Sequence, residues 1–418
     1  MTPPGSKSIT NRLYVMAALA SGVSRLRAPL RADDTDRLLA SLQTLGAGVA
    51  WQGDEVTITG VSGRFPRGGR VDLGDGGTPT RFMIAAACLA AAPVVVDGSA
   101  RMRERPVAEG VELLRRLGAD IVYVEAEGRL PIEVRPAAAF RGGSVDVGMT
   151  RSSQFLSALL LIGPHLEGGI ELRYTGPVTS PTYVTLTLDA LRQAGCVVER
   201  AAGVRDAVDA GGPRALDATI EPDASSAAYW LAAAAMNGSS SITVRGLPAD
   251  SIQPDMAVAH GLVTAGAGMQ FTAEGLTMTG ADELTGFDLD CAVAPDGALA
   301  LAAAAATTRT PTRLRGLHTL RVKETDRITA LAAELRAIGC GVEASDDELI
   351  IDPRTRHRHP VTISTYRDHR MAMAFGILGL HRGHVAIEDP RCVEKSYPGF
   401  WADLGDVLDA GGRPGDEG

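Results

Sequence analysis

What most constrains this chain is that it repeats itself, with a period of about 72 residues. One recurring element is an amphipathic helix that ends in a small-residue turn and runs into a strand. It reads LLASLQTLGAGV (38–49), VELLRRLGADI (111–121), LTLDALRQAGCVV (186–198), AVAHGLVTAGAGM (257–269) and ITALAAELRAIGCGV (328–342). The turn glycines Gly46, Gly118, Gly195, Gly266 and Gly339 are 72, 77, 71 and 73 residues apart. Glycine just past the last helical residue is a C-cap signal, because it takes positive φ without a steric clash. WADLGDVLDAGG (401–412) reads as a degraded sixth copy.

A second element interleaves with the first: a polar turn, an Ala-rich apolar helix, then a Gly-marked turn into a strand. Its copies are SKSITNRLYVMAALASG (6–22), GGTPTRFMIAAACLAA (76–91), TRSSQFLSALLLIG (150–163), PDASSAAYWLAAAAMNG (222–238), PDGALALAAAAATT (295–308) and YRDHRMAMAFGILG (366–379). The markers Ser8, Thr78, Ser152, Ser225, Asp296 and Asp368 follow one another at 70, 74, 73, 71 and 72 residues. Two independent elements sharing one period imply six units, each of two helices and several strands. The second helices are apolar nearly all round and should be buried. Ser, Thr or Asp near each start is N-cap chemistry. A helix N-terminus carries free N–H donors and partial positive charge, so aligned helices would gather an anion site in one cleft.

At 418 residues the chain exceeds the roughly 250–300 at which one core stops growing, so two domains are expected. The net charge of −9 and an aromatic content of 4% argue against nucleic acid or an anionic membrane as partner. A small anion held by local Arg and Lys remains compatible. Five scattered cysteines (Cys88, Cys196, Cys291, Cys340, Cys392) without a C-x-x-C pair fit a reducing compartment and neither a disulfide framework nor a zinc site. No charged-then-apolar leader precedes Thr2, and no apolar run nears the ~20 residues of a membrane span, so a cytoplasmic protein is expected.

Basic and hydroxyl residues cluster at the starts of the buried helices. Lys7, Ser8 and Arg12 lie in PGSKSITNR, and Asp75 to Arg81 form a Gly-rich turn. RMRERP (101–106), Arg151-Ser152-Ser153-Gln154, RVKETDR (321–327), Asp368-His369-Arg370 and Lys395 follow. The first run lacks the G-x-x-x-x-G-K order of a phosphate-binding nucleotide loop. Each run alone reads as a solvated charged segment. Their placement at equivalent points of successive repeats favours a shared site.

Together PGSKSITNR, RMRERP, SSQF, PDASSA, RVKETDR, YRDHRMAM and the Cys-x-x-Lys from Cys392 to Lys395 resemble the motif set of the 5-enolpyruvylshikimate-3-phosphate synthases, in order and spacing over about residues 3–400. The resemblance implies an α/β fold of two similar domains, each of three βαβαββ-like repeats around buried parallel helices, an inside-out α/β barrel. The domains would be 6–220, mainly on the shikimate 3-phosphate side, and 1–5 plus 221–418, with the active site between them. By resemblance Lys7, Ser8, Arg12, Ser152, Ser153, Gln154, Ser180, Asp296 and Lys323 would hold shikimate 3-phosphate. Lys7, Gly77, Arg101, Gln154, Arg327, Arg370 and Lys395 would hold phosphoenolpyruvate. The implied reaction is an addition–elimination, with Asp296 and Glu324 as acid–base carboxylates and Lys7 and Lys395 as cationic partners. No metal or other cofactor is expected, because Arg, Lys and helix N-termini supply the positive field. A monomer is expected.

Three places depart from the family pattern: Thr80 replaces the usual Met before Arg81, Pro181-Thr182 replaces a basic residue and Pro before Tyr183, and Thr319 stands where Asn is common. The sister transferase acting on UDP-N-acetylglucosamine usually carries a reactive Cys in the loop equivalent to Ser99–Pro106, and none occurs here. A catalytically silent anion-binding homologue would not need Lys7, Asp296, Glu324 and Lys395 together. The basic stretch from Arg354 to His359 reads as an exposed loop, and the tail from Gly411 to Gly418 as frayed.

Overall fold

Period-two alternation sets the sheets. In Val23–Arg27 the side chains of Ser24 and Leu26 are buried, while those of Val23 and Arg25 face out. The computed structural model describes residues 1–150, 152–238, 240–353 and 359–411. Arg151, nearly all of the basic stretch and all but the first residue of the tail named above lie outside them.

The chain divides into two compact units, Gly5–Ile220 and Met1–Pro4 with Glu221–Gly418. In the first unit, each sheet places one strand parallel beside a second, followed by an antiparallel hairpin. Asp217–Thr219 lies parallel to Val23–Arg27, which pairs with Glu55–Thr59 and then Gly48–Gln52. Gly69–Asp72, Val94–Asp97, Ile132–Arg135 and Asp120–Tyr123 repeat the order, as do Gly143–Val147, Ile170–Tyr174, Arg205–Val208 and Val198–Ala201. This is the βαβαββ pattern that the resemblance implies.

In the second unit the same order recurs in Asp288–Asp290, Thr312–Arg315, Glu348–Asp352 and Gly341–Ala344. The sheet of Ser241–Arg245, Gly275–Thr279 and Gly268–Thr272 is three-stranded, and Met1 lies along its edge. The Met1 amino group donates to the Thr243 carbonyl at 2.9 Å, and the Arg245 amide donates to the Met1 carbonyl. Val361–Ile363 and Val385–Ile387 form a two-stranded parallel sheet before the final helix, Phe400–Gly411.

Six helices run through the two cores: α1 (Lys7–Leu19), α2 (Gly77–Ala87), α3 (Gln154–Ile162), α4 (Ala224–Met236), α5 (Ala298–Ala305) and α6 (His369–Arg382). The first three pack on one another in the first unit, and the last three in the second. Their small side chains permit close approach. Every residue of α5 is buried, and so are Ala227, Ala228 and Ala232 to Ala235 of α4. Removing a full Leu-sized side chain from water contributes about 1.5–3 kcal/mol, so the apolar all-round pattern leaves these helices no stable exposed position. The five turn glycines take φ of 124°, 95°, 82°, 114° and 99°, the left-handed turn expected of them. All five cysteines are free thiols, and among the described residues no helix is long and apolar enough to cross a membrane.

Candidate active site

The starts of α1, α2 and α3 organise the functional residues of the first unit. Lys7 is the first residue of α1, whose cap Ser6 accepts from the Ile9 amide at 3.5 Å. Its Nζ donates to Asp34 Oδ2 at 3.2 Å, and Asp34 is itself buried. Ser8 lies half-buried beside it, and its carbonyl accepts from Arg12 Nη1 at 2.8 Å. Arg12 also donates to Thr187 Oγ1 at 2.8 Å, Ser157 Oγ at 3.2 Å and the Tyr183 carbonyl at 2.9 Å. Burial pulls its pKa down to about 10, with Tyr183 opposing. Among the described residues no carboxylate pairs with Arg12, so this charge is solvated by neutral acceptors alone and would gain from a nearby anion.

Neither α2 nor α3 has a side-chain cap at its cap residue, Gly76 or Ser153. Ser153 is instead buried in helical conformation, and Ser152 Oγ accepts from the Gln154 amide at 3.3 Å. Gln154 Nε2 donates to Thr78 Oγ1 at 2.9 Å, which ties the two helix starts together. Ser180 caps the helix Pro181–Gln193 in the left-handed region, φ 47°, with its hydroxyl making no cap bond. Pro181 at the first helical position suits that start, where its missing N–H is not needed.

RMRERP sends its three arginines different ways. Arg101 is half-exposed and pairs with Glu104 at 2.5 Å, and Arg103 pairs with Asp97 at 2.6 Å. Arg105 ends the short helix Ala100–Glu104 in extended backbone, and its guanidinium is the side-chain group nearest Gly77. A Cβ added at Gly77 would lie 2.8 Å from Arg105 Nη1 and Nη2. Arg101 was the expected ligand here; the guanidinium that meets the α2 start belongs to Arg105. Three arginines within five residues cannot be told apart by spacing. Gly77→Ala is therefore expected to displace Arg105 and raise KM for phosphoenolpyruvate about 10-fold. Its melting temperature should hold, since Ala is the better helix former by up to about 1 kcal/mol and only a flexible side-chain end must move. An unchanged KM would show that Arg105 does not need this position.

In the second unit a dense ion cluster joins the starts of α5 and α6. Asp296 lies in a single turn before α5. Its Oδ1 meets Arg327 Nη1 at 2.8 Å and Lys323 Nζ at 3.3 Å, and its Oδ2 meets Arg370 Nη2 at 3.2 Å. Burial alone would raise its pKa, but Arg370, Lys323 and Arg327 outweigh burial and hold it well below the usual carboxylate range. Arg327, 1% exposed, donates from Nε to Asp368 Oδ2 at 2.7 Å and from Nη2 to Glu324 Oε2 at 2.8 Å. Burial works against its charge, and Asp368, Glu324 and Asp296 overcome it, so its pKa is raised. Lys395 Nζ pairs with Glu324 Oε1 at 2.7 Å. Asp368 also caps α6 by accepting from the Arg370 amide at 2.9 Å.

The two units thus differ in how their helix starts are dressed. The caps of α1, α2 and α3 are Ser6, Gly76 and Ser153, with no acid in any first turn. Those starts keep partial positive charge open to an anion. In the second unit Asp223 caps α4 and Asp368 caps α6, while Asp296 precedes α5. Here the positive charge is carried by Lys323, Arg327, Arg370 and Lys395 against Asp296, Glu324 and Asp368, an excess of one.

A family model described as EPSP synthase (3-phosphoshikimate 1-carboxyvinyltransferase) matches residues 1–404. A 3-phosphoshikimate 1-carboxyvinyltransferase of Methanoculleus marisnigri is 39% identical over 404 residues, 96% of this chain and 94% of that protein. One of Laribacter hongkongensis is 41% identical over 407 residues, covering 95% and 94%. Among solved structures, EPSP synthase from Acinetobacter baumannii aligns with TM-score 0.80 at 25% identity, over 97% of this chain and 94% of that one. The enolpyruvyl transferase NikO from Streptomyces tendae aligns over the same shares with TM-score 0.76 at 19% identity, a likeness of fold. The chain belongs to the EPSP synthase family, enzymes that transfer the enolpyruvyl group of phosphoenolpyruvate to shikimate 3-phosphate.

Proposed function

We propose that this chain carries out that transfer with Asp296 as the base at the 5-hydroxyl of shikimate 3-phosphate. The supporting observation is the Asp296 carboxylate held within 3.3 Å of Arg327, Lys323 and Arg370. In that state Asp296 is ionised but weakly basic. Binding of two anionic substrates turns Lys323 and Arg370 toward phosphate and carboxylate oxygens, and the basicity of Asp296 then rises. The 5-hydroxyl oxygen adds to C2 of phosphoenolpyruvate while C3 gains a proton. C3 then loses a proton, the C2–O bond breaks, and inorganic phosphate leaves. The hydrogen-bonded pair Glu324–Lys395 is suited to hold the C3 proton, and Lys7, steadied by Asp34, to meet the departing phosphate.

Shikimate 3-phosphate fits the first unit's Lys7, Ser8, Arg12, Ser152, Ser153, Gln154 and Ser180, joined by Asp296 and Lys323 of the second. Phosphoenolpyruvate fits Lys7, Gly77, Gln154, Arg327, Arg370 and Lys395, with Arg105 in the role expected of Arg101. Arginine suits both ends of phosphoenolpyruvate because its planar fork binds two oxygens at once. The five free thiols support a reducing, cytoplasmic setting, and we propose a monomer.

Inorganic phosphate measured with both substrates, against controls lacking each one, tests the assignment. Release that does not require shikimate 3-phosphate would overturn it.

A further inference from the structure

Asp255 is a buried acid outside the ion cluster described above. It stands at the cap position of the helix Met256–Thr264, yet its side chain caps nothing there. Its Oδ2 accepts from Ser225 Oγ at 2.6 Å, and its Oδ1 is turned toward the backbone at Gly297, where an added Cβ would lie 2.9 Å away. Asp255 is 3% exposed, and among the described residues Oδ1 has no hydrogen-bond partner. Gly297 directly follows Asp296, so this carboxylate sits immediately behind the proposed base. The helix packs on both α4 and α5, which fixes that placement.

We propose that Asp255 is a positioning residue for the Asp296–Arg370 pair, acting as a fixed negative charge held by Ser225 behind the base. The inference rests on the reading of Asp296 as base. The charge of Asp255 does two things. It opposes the negative charge on Asp296, which makes Asp296 a stronger base. It also competes for the field of Arg370, which loosens the hold on an anionic substrate. Both effects depend on its ionisation. Burial pushes the Asp255 pKa up to about 6, with Arg370 pulling down, Asp296 pushing up, the Ser225 hydrogen bond pulling down and Asp223 pushing up. The Cys291 thiol also interacts with it, is pushed up to about 12, chiefly by burial, and stays neutral in this range. Asp255 therefore gains its charge as pH rises through about 6.

The test is the ratio of Asp255→Asn to parent enzyme for kcat and for KM of phosphoenolpyruvate across pH, since titration of the substrate cancels in the ratio. Both ratios should be near one below about pH 5.5, and by pH 7.5 both should fall to about a third or less. A merely structural role would lower activity equally at every pH and would not improve KM. Ser225→Ala removes a bond that favours the charged form, so it should move the onset of the parent's pH dependence to higher pH. Flat ratios in a folded Asp255→Asn enzyme would overturn the proposal. If that variant does not fold, an unmoved onset in Ser225→Ala would do so. Asp296→Asn separates the two readings. An active Asp296→Asn enzyme removes the base itself, whereas an inactive one with flat Asp255→Asn ratios removes only this inference.

Discussion

Asp296→Asn is expected to lower turnover at least about 100-fold while shikimate 3-phosphate affinity changes by no more than a few-fold. The amide keeps the size of the carboxylate but cannot take a proton from the 5-hydroxyl. It also leaves Arg327, Lys323 and Arg370 with less negative charge to face, so anion binding should not weaken. Turnover measured as phosphate release, with affinity measured by calorimetry, separates the two effects. Turnover within about threefold of the parent would remove Asp296 from the mechanism.

Arg327→Met carries the second large effect, this time on stability. Arg327 is the shared partner of Asp296, Glu324 and Asp368, and it is 1% exposed. Removing it strands buried carboxylates, a change that typically destabilises by about 3–5 kcal/mol. The expected fall in melting temperature is of order 10 °C. The sign of its pH dependence follows from Asp296, whose folded pKa is depressed well below 3.8. A depressed carboxylate contributes stability that is present above the unfolded pKa and lost as pH falls through the folded one. Without Arg327 that depression shrinks, so the gap between variant and parent should be widest near neutrality and narrow below about pH 4. A gap that does not change with pH would mean the cluster is not what holds this region together.

The repeating architecture was legible because it rests on local chemistry. Glycines that must take positive φ, helices apolar on every face and strands alternating in burial all leave a period in the sequence. The helix starts that gather the functional residues were legible for the same reason. Which side chain turns toward which was not. Arg105 meets Gly77 only because the helix Ala100–Glu104 stops there and Arg105 continues in extended backbone. Lys7 is steadied by Asp34, one of three acids among residues 33–36, and only burial within the fold distinguishes it. Asp255 lies just ahead of a turn-repeat helix, where it resembles an ordinary cap, and nothing local marks it as the acid behind Asp296. The cap chemistry was also only half used, since Gly76, Ser153 and Gly297 leave their helix starts without a side-chain acceptor.

The pairing of Met1 with Thr243, 242 positions away, bears on how the polypeptide reaches its native state. The sheet edge at Val23–Arg27 likewise waits for Asp217–Thr219. Met1 thus joins a layer whose remaining strands lie far along the chain, and the opening layer of the first unit is finished by almost its last segment. Such non-local closures lose chain entropy before any contact compensates, which slows acquisition of structure and lengthens exposure of unpaired edges.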